Sequence, residues 1–191
     1  MQVFVHFKKQ QLEKHIASLV QLNESYIKKS YELNENLTHT LEEIEAYFKQ
    51  IGDSSNESKI SKLRTHFDTA LSGIDPLQLQ KVKTGRRAMI TTAAFYCLNE
   101  LQEILHTDLK QVLEILKNAE EPISQVIITA LQSSLITDKQ MEDKNLETIA
   151  QLWEKLLHNE QVKMLDRRLK MDILTQDIHL LIDTIFEKIK N

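Results

Sequence analysis

An apolar stripe runs through the N-terminal part of the sequence. Its residues recur at every third or fourth position, as on one face of an α-helix that turns about 100° per residue. A single helix over about residues 8–51 would be roughly 60 Å long, so it must pack against several shorter helices or against a partner chain. The stripe consists of Leu12, Ile16, Leu19, Asn23, Tyr26, Ser30, Leu33, Leu37, Leu41, Ile44, Phe48 and Ile51.

Composition favours helices over the rest of the chain as well. Only three Gly and two Pro occur among 191 residues, too few for the many turns of an all-β fold. The sequence therefore predicts an all-α fold, a single helical domain over residues 1–191 with six or seven helices bundled around one long N-terminal helix. We expect that helix over about residues 8–51, a loop over residues 52–58, and the remaining helices within residues 59–190.

Short motifs predict where individual helices begin and end. Gly52 follows the last stripe residue, where a C-terminal cap belongs. Thr40 and Glu43 have the spacing of a capping box, so a break near residues 34–40 is the alternative to one continuous long helix. Asp75-Pro76 combines an acidic cap with a proline at the first helical position, and it predicts a helix start.

The helix expected from Pro76 would continue to about Asn118. Gly85 and Thr107-Asp108 are two points at which it could break. Glu120-Glu121-Pro122 is expected to end this segment, because proline lacks the N–H group that an interior helix position donates.

The charge balance argues against two broad classes of partner. The formal net charge is −4, which disfavours general binding of nucleic acid or anionic membranes, although a local basic patch can still bind anions. No apolar stretch approaches the 18 or so residues of a membrane span. The single Cys97 suits a reducing compartment, and residues 1–9 do not resemble a signal peptide. We therefore expect a cytoplasmic protein without a membrane partner, or one that is exported by a route that the sequence does not show.

Lys81, Lys83, Arg86 and Arg87 form the densest basic cluster, with Gly85 among them. A flexible turn that carries four cations could hold a phosphate or a nucleic-acid backbone. No glycine-rich phosphate loop surrounds the cluster, and no aromatic residue interleaves with it. A solvated helix face is therefore the competing interpretation.

Arg86 differs from the other cations, because a helix from Pro76 would place it in the middle of an apolar face. A buried arginine needs a carboxylate partner. Asp166, at the inner edge of a stripe on a later helix, is one candidate. The pattern predicts either an internal Arg86–Asp166 ion pair or an Arg86 that faces a partner protein.

Two apolar groups are further candidates for binding. Phe4 and Phe7 could form an arm that docks on a partner, or they could simply cover the end of the bundle. Cys97 and Trp153 could line a small-molecule pocket, although such residues at helical spacing usually belong to the core. We expect Cys97 to be an inert buried thiol.

The sequence contains no recognisable catalytic constellation. No histidine has an Asp or Ser at a spacing that suggests a triad. Glu103 and His106 have the Glu-x-x-His spacing of di-iron bundles, but the motif occurs once and lies away from the apolar face of its helix. We predict no catalytic residue, no metal site and no cofactor.

These observations predict a non-enzymatic module that binds through helical surfaces, such as an adaptor, a chaperone-like regulator or an inhibitor. Its partner would be another protein or a second copy of the chain, because a long coiled-coil-like face is hard to cover with shorter helices. One alternative is a nucleic-acid-associated regulator that uses Lys81–Arg87. Another is a small-molecule sensor with a pocket near Cys97 and Trp153.

Overall fold

The computed structural model describes residues 4–137, 140–141 and 145–190. These residues have an all-α fold, as predicted, with seven helices. In chain order the helices are α1 (Val5–Ile27), α2 (Leu33–Ile51), α3 (Ser54–Leu71), α4 (Arg86–Gln132), α5 (Leu146–Leu156), α6 (Glu160–Leu169) and α7 (Thr175–Lys190).

The chain divides into two compact units. The central unit, Gln10–Leu109, contains most of α1, all of α2 and α3, and the first part of α4. The terminal unit is formed by the described residues of Met1–Lys9 and Lys110–Asn191, and it contains the start of α1, the rest of α4, and α5 to α7. At 47 residues α4 is the longest helix in the described part of the chain, and residues of both units lie on it.

In the central unit α2 packs against α3. Gly52, with φ of 76°, ends α2 as predicted, and the side chain of Asp53 accepts a hydrogen bond of 3.0 Å from the N–H of Asn56. Because this cap starts α3 at Ser54, the predicted loop over residues 52–58 is too long. The core of the unit includes the completely buried residues Leu12, Leu37, Leu41, Ile44, Phe48, Ile60, Phe67, Ala94, Cys97, Leu101 and Leu105.

The single helix predicted over about residues 8–51 is instead two helices, α1 and α2. The break lies at residues 28–32, outside the alternative of residues 34–40. Lys29 adopts a left-handed conformation with φ of 53°, and the N–H of Ser30 donates to the carbonyl of Ser25 over 2.9 Å. Leu19 and Leu37, on either side of the break, are both buried. The helical spacing of the apolar residues therefore continues across the break, so this spacing does not indicate where α1 ends.

The helix start predicted at Asp75-Pro76 is wrong, although its cap is formed. Oδ1 of Asp75 accepts hydrogen bonds from the N–H groups of Leu77 (2.8 Å) and Gln78 (3.2 Å). Leu79 then turns the chain with φ of 56°, and an isolated bridge pairs Ile74 with Lys81. A short hairpin-like loop results, and α4 begins only after it.

α4 continues through both of the later points at which an end or a break was expected. Asp108 is 4% exposed, so its side chain lies in the core of the central unit and does not start a new helix. Pro122 lies inside α4. A proline removes a single N–H group, the one that would bond to the carbonyl of Asn118, and the hydrogen bonds on either side continue the helix.

In the terminal unit α5 packs against α7. Asn145 and Asn159 cap α5 and α6 by accepting hydrogen bonds of 3.0 Å and 2.9 Å from backbone N–H groups. The indole of Trp153, 1% exposed, donates to Oδ1 of Asp166 over 2.9 Å. The core includes Ala119, Ile123, Ile127, Ile149, Leu152, Trp153, Ile178, Leu181, Ile182, Ile185 and Phe186.

Candidate functional site

A groove in the central unit combines cationic, aromatic and polar side chains. It lies between the connection of α1 to α2 and the first turns of α4, and its volume is about 1080 Å³. We call it the basic groove. It is lined by Tyr26, Lys29, Ser30, Tyr31, Leu33, Asn34, Arg86, Arg87, Ala88, Ile90, Thr91 and Thr92.

The first wall of the basic groove follows from the way in which α1 ends. The N–H of Lys29 donates to the carbonyl of Tyr26 over 3.1 Å, and Lys29 itself has the left-handed backbone that glycine usually supplies at this position. The N–H of Ser30 then donates to the carbonyl of Ser25 over 2.9 Å, and α1 ends there. As a result Tyr31 stands almost free in solvent, with 96% of its surface exposed.

The second wall is the start of α4. Gly85 has φ of 80°, and its carbonyl accepts the first hydrogen bond of the helix, from the N–H of Met89 at 3.1 Å. Arg86 and Arg87 occupy the first turn, which contains no acidic residue. The helix dipole is positive at this end and favours acidic side chains there. The two arginines therefore add to a positive potential.

Arg86 also has a structural contact. Its guanidinium donates to the carbonyl of Leu71, the last residue of α3, where the negative end of the helix dipole favours a cation. A Cβ atom built on Gly73 would lie 3.5 Å from Nε of Arg86, so the arginine stem lies close to the backbone at this turn. Arg86 therefore connects the end of α3 to the start of α4.

Aromatic rings lie at the edge of the basic groove. The ring of Tyr26 is 5.8 Å from that of Phe95, which is 50% exposed. Together with exposed Tyr31, they offer flat surfaces on which an apolar, aromatic or guanidinium group could stack. The hydroxyls of Thr91 and Thr92 donate to carbonyls of their own helix.

The lining residues of the basic groove include Lys29, Arg86 and Arg87 but no Asp or Glu. Within the described part of the chain neither Lys29 nor Arg87 has an ion-pair partner. Unpaired cations in a concave site concentrate a positive potential. The groove is therefore suited chemically to an anionic ligand that also carries apolar or aromatic groups.

The structure divides the basic cluster predicted from the sequence. Arg86 and Arg87 line the groove, whereas Lys81 and Lys83 are exposed on the loop before α4 and are not among the lining residues. Lys29 was missed. It lies more than fifty residues earlier in the sequence, and no local pattern connects it with the arginines.

The structure gives Arg86 and Asp166 polar partners other than each other. Arg86 is exposed at the start of α4, because the helix does not extend back to Pro76 and gives Arg86 no apolar face. Oδ1 of Asp166 accepts one hydrogen bond from Trp153, and Oδ2 lies 2.7 Å from Nζ of Lys170. Within the described residues, Arg86 is bonded to the carbonyl of Leu71, and Asp166 is bonded to Trp153 and Lys170.

The remaining candidates are less accessible than the basic groove. Phe4 and Phe7 are both half-buried at the start of α1, and the ring of Phe4 is 6.1 Å from that of His6. Cys97 is completely buried in the central unit, and burial raises the pKa of its thiol to about 12. Trp153 is buried in the terminal unit. Cys97 and Trp153 are thus each enclosed in the core of their own unit.

A buried polar cluster in the central unit also escaped prediction. The ring of His15 lies 5.3 Å from that of Tyr47, and His15 is 5% exposed. Burial, with a smaller contribution from the charge of Asp108, raises the pKa of Tyr47 far above its usual range. Burial also lowers the pKa of His15. These shifts keep both side chains neutral in the core.

The described residues show no metal-binding cluster. Over residues 4–137, 140–141 and 145–190, no three His, Cys, Asp or Glu side chains are grouped as metal ligands. Within the same residues, none of the helices has the length and apolar character needed to cross a membrane. No protein-family model, no curated protein and no solved structure matches this chain.

Proposed function

We propose that the protein is a non-enzymatic interaction module whose basic groove binds an acidic segment of a partner protein. One observation supports this most directly: Lys29, Arg86 and Arg87 line a concave surface that has no carboxylate among its lining residues. The module would act as an adaptor, a chaperone-like regulator or an inhibitor.

The residue types of the groove suit an acidic peptide. Arginine donates a planar pair of hydrogen bonds that matches a carboxylate, and exposed tyrosine contributes a large, rigid contact area at protein interfaces. Ile90 and Leu33 add an apolar floor. We therefore expect the bound segment to carry Asp or Glu together with at least one apolar or aromatic residue.

The test is a binding titration by fluorescence anisotropy with the full chain. The probe is a short labelled peptide of Glu and Leu, and the same peptide with Gln in place of Glu is the neutral comparison. The acidic peptide should bind more tightly, and Lys29→Ala combined with Arg87→Ala should weaken it roughly tenfold. Arg167→Ala is the matched control, because Arg167 is exposed on α6 in the terminal unit. This substitution should leave peptide binding unchanged.

Two outcomes would contradict the proposal. One is equal binding of the acidic and neutral peptides. The other is an acidic peptide whose affinity is unaffected by the Lys29 and Arg87 substitutions. Arg86 is not used in this test, because its contact with Leu71 would combine a folding effect with a binding effect.

A nucleic-acid-associated regulator is the second candidate. The observation that favours it is exposed Tyr31 in the same groove as Arg87, since an aromatic ring among cations is a stacking platform for single-stranded nucleic acid. A labelled single-stranded oligonucleotide in the same assay tests it. Binding tighter than that of the acidic peptide, strongly reduced by salt and by Tyr31→Ala, would favour this candidate over the first.

A cytoplasmic location and self-association belong to the same proposal. Cys97 is a free, buried thiol, which suits a reducing compartment. Light scattering on the purified protein measures the number of copies in the particle. If the protein is a dimer whose affinity for the acidic peptide does not depend on protein concentration, self-association and peptide binding at the basic groove are separate properties.

A further inference from the structure

We propose that a second groove, in the terminal unit, binds an elongated apolar molecule with an anionic end, such as a fatty acid. This apolar groove has a volume of about 740 Å³, within the range of about 300–1,000 Å³ typical of small-molecule sites. The proposal is independent of the basic groove, which lies in the central unit.

Residues of α4, of α6 and of the end of α5 form the walls of the apolar groove. Pro122, Val126 and Ala130 follow one another at helical spacing along one face of α4. Val162 and Leu165 of α6 form the other side, together with the end of α5. These side chains form an apolar surface within the groove, and an alkyl chain that packs against it would be partly removed from water.

Leu135, three residues after the end of α4, also lines the apolar groove. Ser134 adopts a left-handed conformation with φ of 57°, and the N–H of Leu135 donates to the carbonyl of Ala130 over 2.9 Å. This turn holds Leu135 at the groove although 49% of its surface remains exposed. A bound apolar chain would cover that surface.

The lining residues of the apolar groove include two basic side chains, Lys155 and His158, and no Asp or Glu. Nδ1 of His158 lies 3.1 Å from the carbonyl of Lys155, so this nitrogen has a backbone partner and Nε2 remains for a ligand. A carboxylate at this end would be matched by a cation, whereas a neutral head group would not.

The shape of the space favours a linear ligand. The apolar lining from Pro122 through Val126 to Ala130 covers about two turns of α4, so the apolar groove is elongated along that helix. A second cavity of about 590 Å³ shares Pro122, Gln125 and Leu165 with this groove. Glu121, Arg168 and Asp172 also line that cavity, so it does not extend the apolar path. An alkyl chain can follow such a path, and a compact ring system would fill only part of it.

Isothermal titration calorimetry with the full chain tests the proposal, using dodecanoate below its micelle concentration and dodecanol for comparison. We expect saturable binding of one dodecanoate per chain and roughly fivefold weaker binding of dodecanol. Lys155→Gln should weaken dodecanoate by a similar factor and leave dodecanol unchanged. Lys117→Gln, an exposed lysine on α4 away from the groove, is the charge control.

Thr129→Trp tests the location. Thr129 is an exposed groove residue of α4, so an indole there would occupy the space and abolish binding. Thr107→Trp, at an exposed position of the same helix, should bind normally. If Thr129→Trp does not fold, Val126→Gln replaces it. No saturable binding, equal binding of dodecanol and dodecanoate, or normal binding by the groove variants would each overturn the proposal.

Discussion

Nδ1 of His6 lies 2.7 Å from Oδ1 of Asp177, whose side chain is completely buried. The same carboxylate accepts hydrogen bonds from the N–H groups of Val5 (3.1 Å) and His6 (2.9 Å), at the start of α1. It also accepts one of 3.1 Å from the N–H of Leu174, immediately before α7. Asp177 therefore caps the N-termini of two helices at once.

Asp177→Asn should destabilise the protein by about 2–4 kcal/mol, because an amide offers one oxygen where the carboxylate accepts four hydrogen bonds, and it removes the charge that strengthens them. Urea unfolding followed by circular dichroism measures the change. Asp183→Asn, on the same helix, has no such contacts among the described residues and should cost little. Equal losses from the two variants would refute the double cap.

Stability should fall as the pH is lowered, and buried histidine is one cause. Burial lowers the pKa of His15 from 6.5; Glu43 opposes this shift and Lys14 adds to it. The unfolded chain therefore binds a proton at a higher pH than the folded chain does. The contribution is complete above about pH 6.5 and is lost as the pH falls toward the lower pKa of the folded protein.

His15→Phe isolates this contribution. The substitution removes the titrating ring, and it also removes Nε2, which has no hydrogen-bond partner among the described residues. We expect a shallower loss of stability between about pH 7 and about pH 5 than in the wild type. His106→Phe, at an exposed position, should retain the wild-type slope, and an unchanged slope in His15→Phe would contradict the prediction.

Asp177 should contribute to the same trend at lower pH. Burial raises the pKa of its carboxyl, but the hydrogen bonds from the His6 ring and from the N–H groups of His6, Val5 and Leu174 outweigh burial and lower it overall. Stability from this group is present above the ordinary pKa of 3.8 and disappears as the pH falls below it. In Asp177→Asn, unfolding measured in that acidic range should lose this dependence.

The two arginines of the basic groove should differ in their effect on stability. Arg86→Ala removes the hydrogen bond to the carbonyl of Leu71 and should cost about 1 kcal/mol. Arg87→Ala removes no side-chain hydrogen bond or ion pair among the described residues and should change the free energy of unfolding by less than about 0.5 kcal/mol. Thermal unfolding of the two variants measures the difference, and equal losses would refute it.

Lys29→Gly should stabilise the protein while weakening the binding of an acidic peptide. Lys29 and Ser134 both have left-handed backbones, with φ of 53° and 57°, and glycine relieves that strain by about 0.5–1 kcal/mol. Ser134→Gly is the matched control, because it should give the same gain in unfolding temperature without changing affinity at the basic groove. A loss of stability in both variants would show that glycine relieves no backbone strain at these two positions.

Helix content and the end of α2 could be predicted from the sequence, because they depend on local chemistry. Gly52 ends α2 through contacts within a few residues. The break at Lys29 could not be predicted, because a lysine in a left-handed conformation leaves no sequence signal. Asp75 shows the opposite case: its cap is formed, but Leu79 and the pairing of Ile74 with Lys81 redirect the chain.

Part of the basic groove could be predicted in the same way. Arg86 and Arg87 are adjacent in sequence and belong to an evident cluster. Tyr31 and Lys29 line the same groove only because of the way the central unit packs. The spacing of residues along the sequence does not predict that packing. The predicted apolar face around Arg86 requires a continuous helix from Pro76, and the exposure of Arg86 follows from the later start of α4.

The division of the terminal unit between the two ends of the sequence affects the order in which the protein can assemble. The N–H of Val5 and its acceptor on Asp177 are 172 residues apart, which is about 10–30 s of translation at typical rates. The central unit is one uninterrupted segment of chain and is complete long before then. On the ribosome, the first turn of α1 therefore waits without its cap until α7 has emerged.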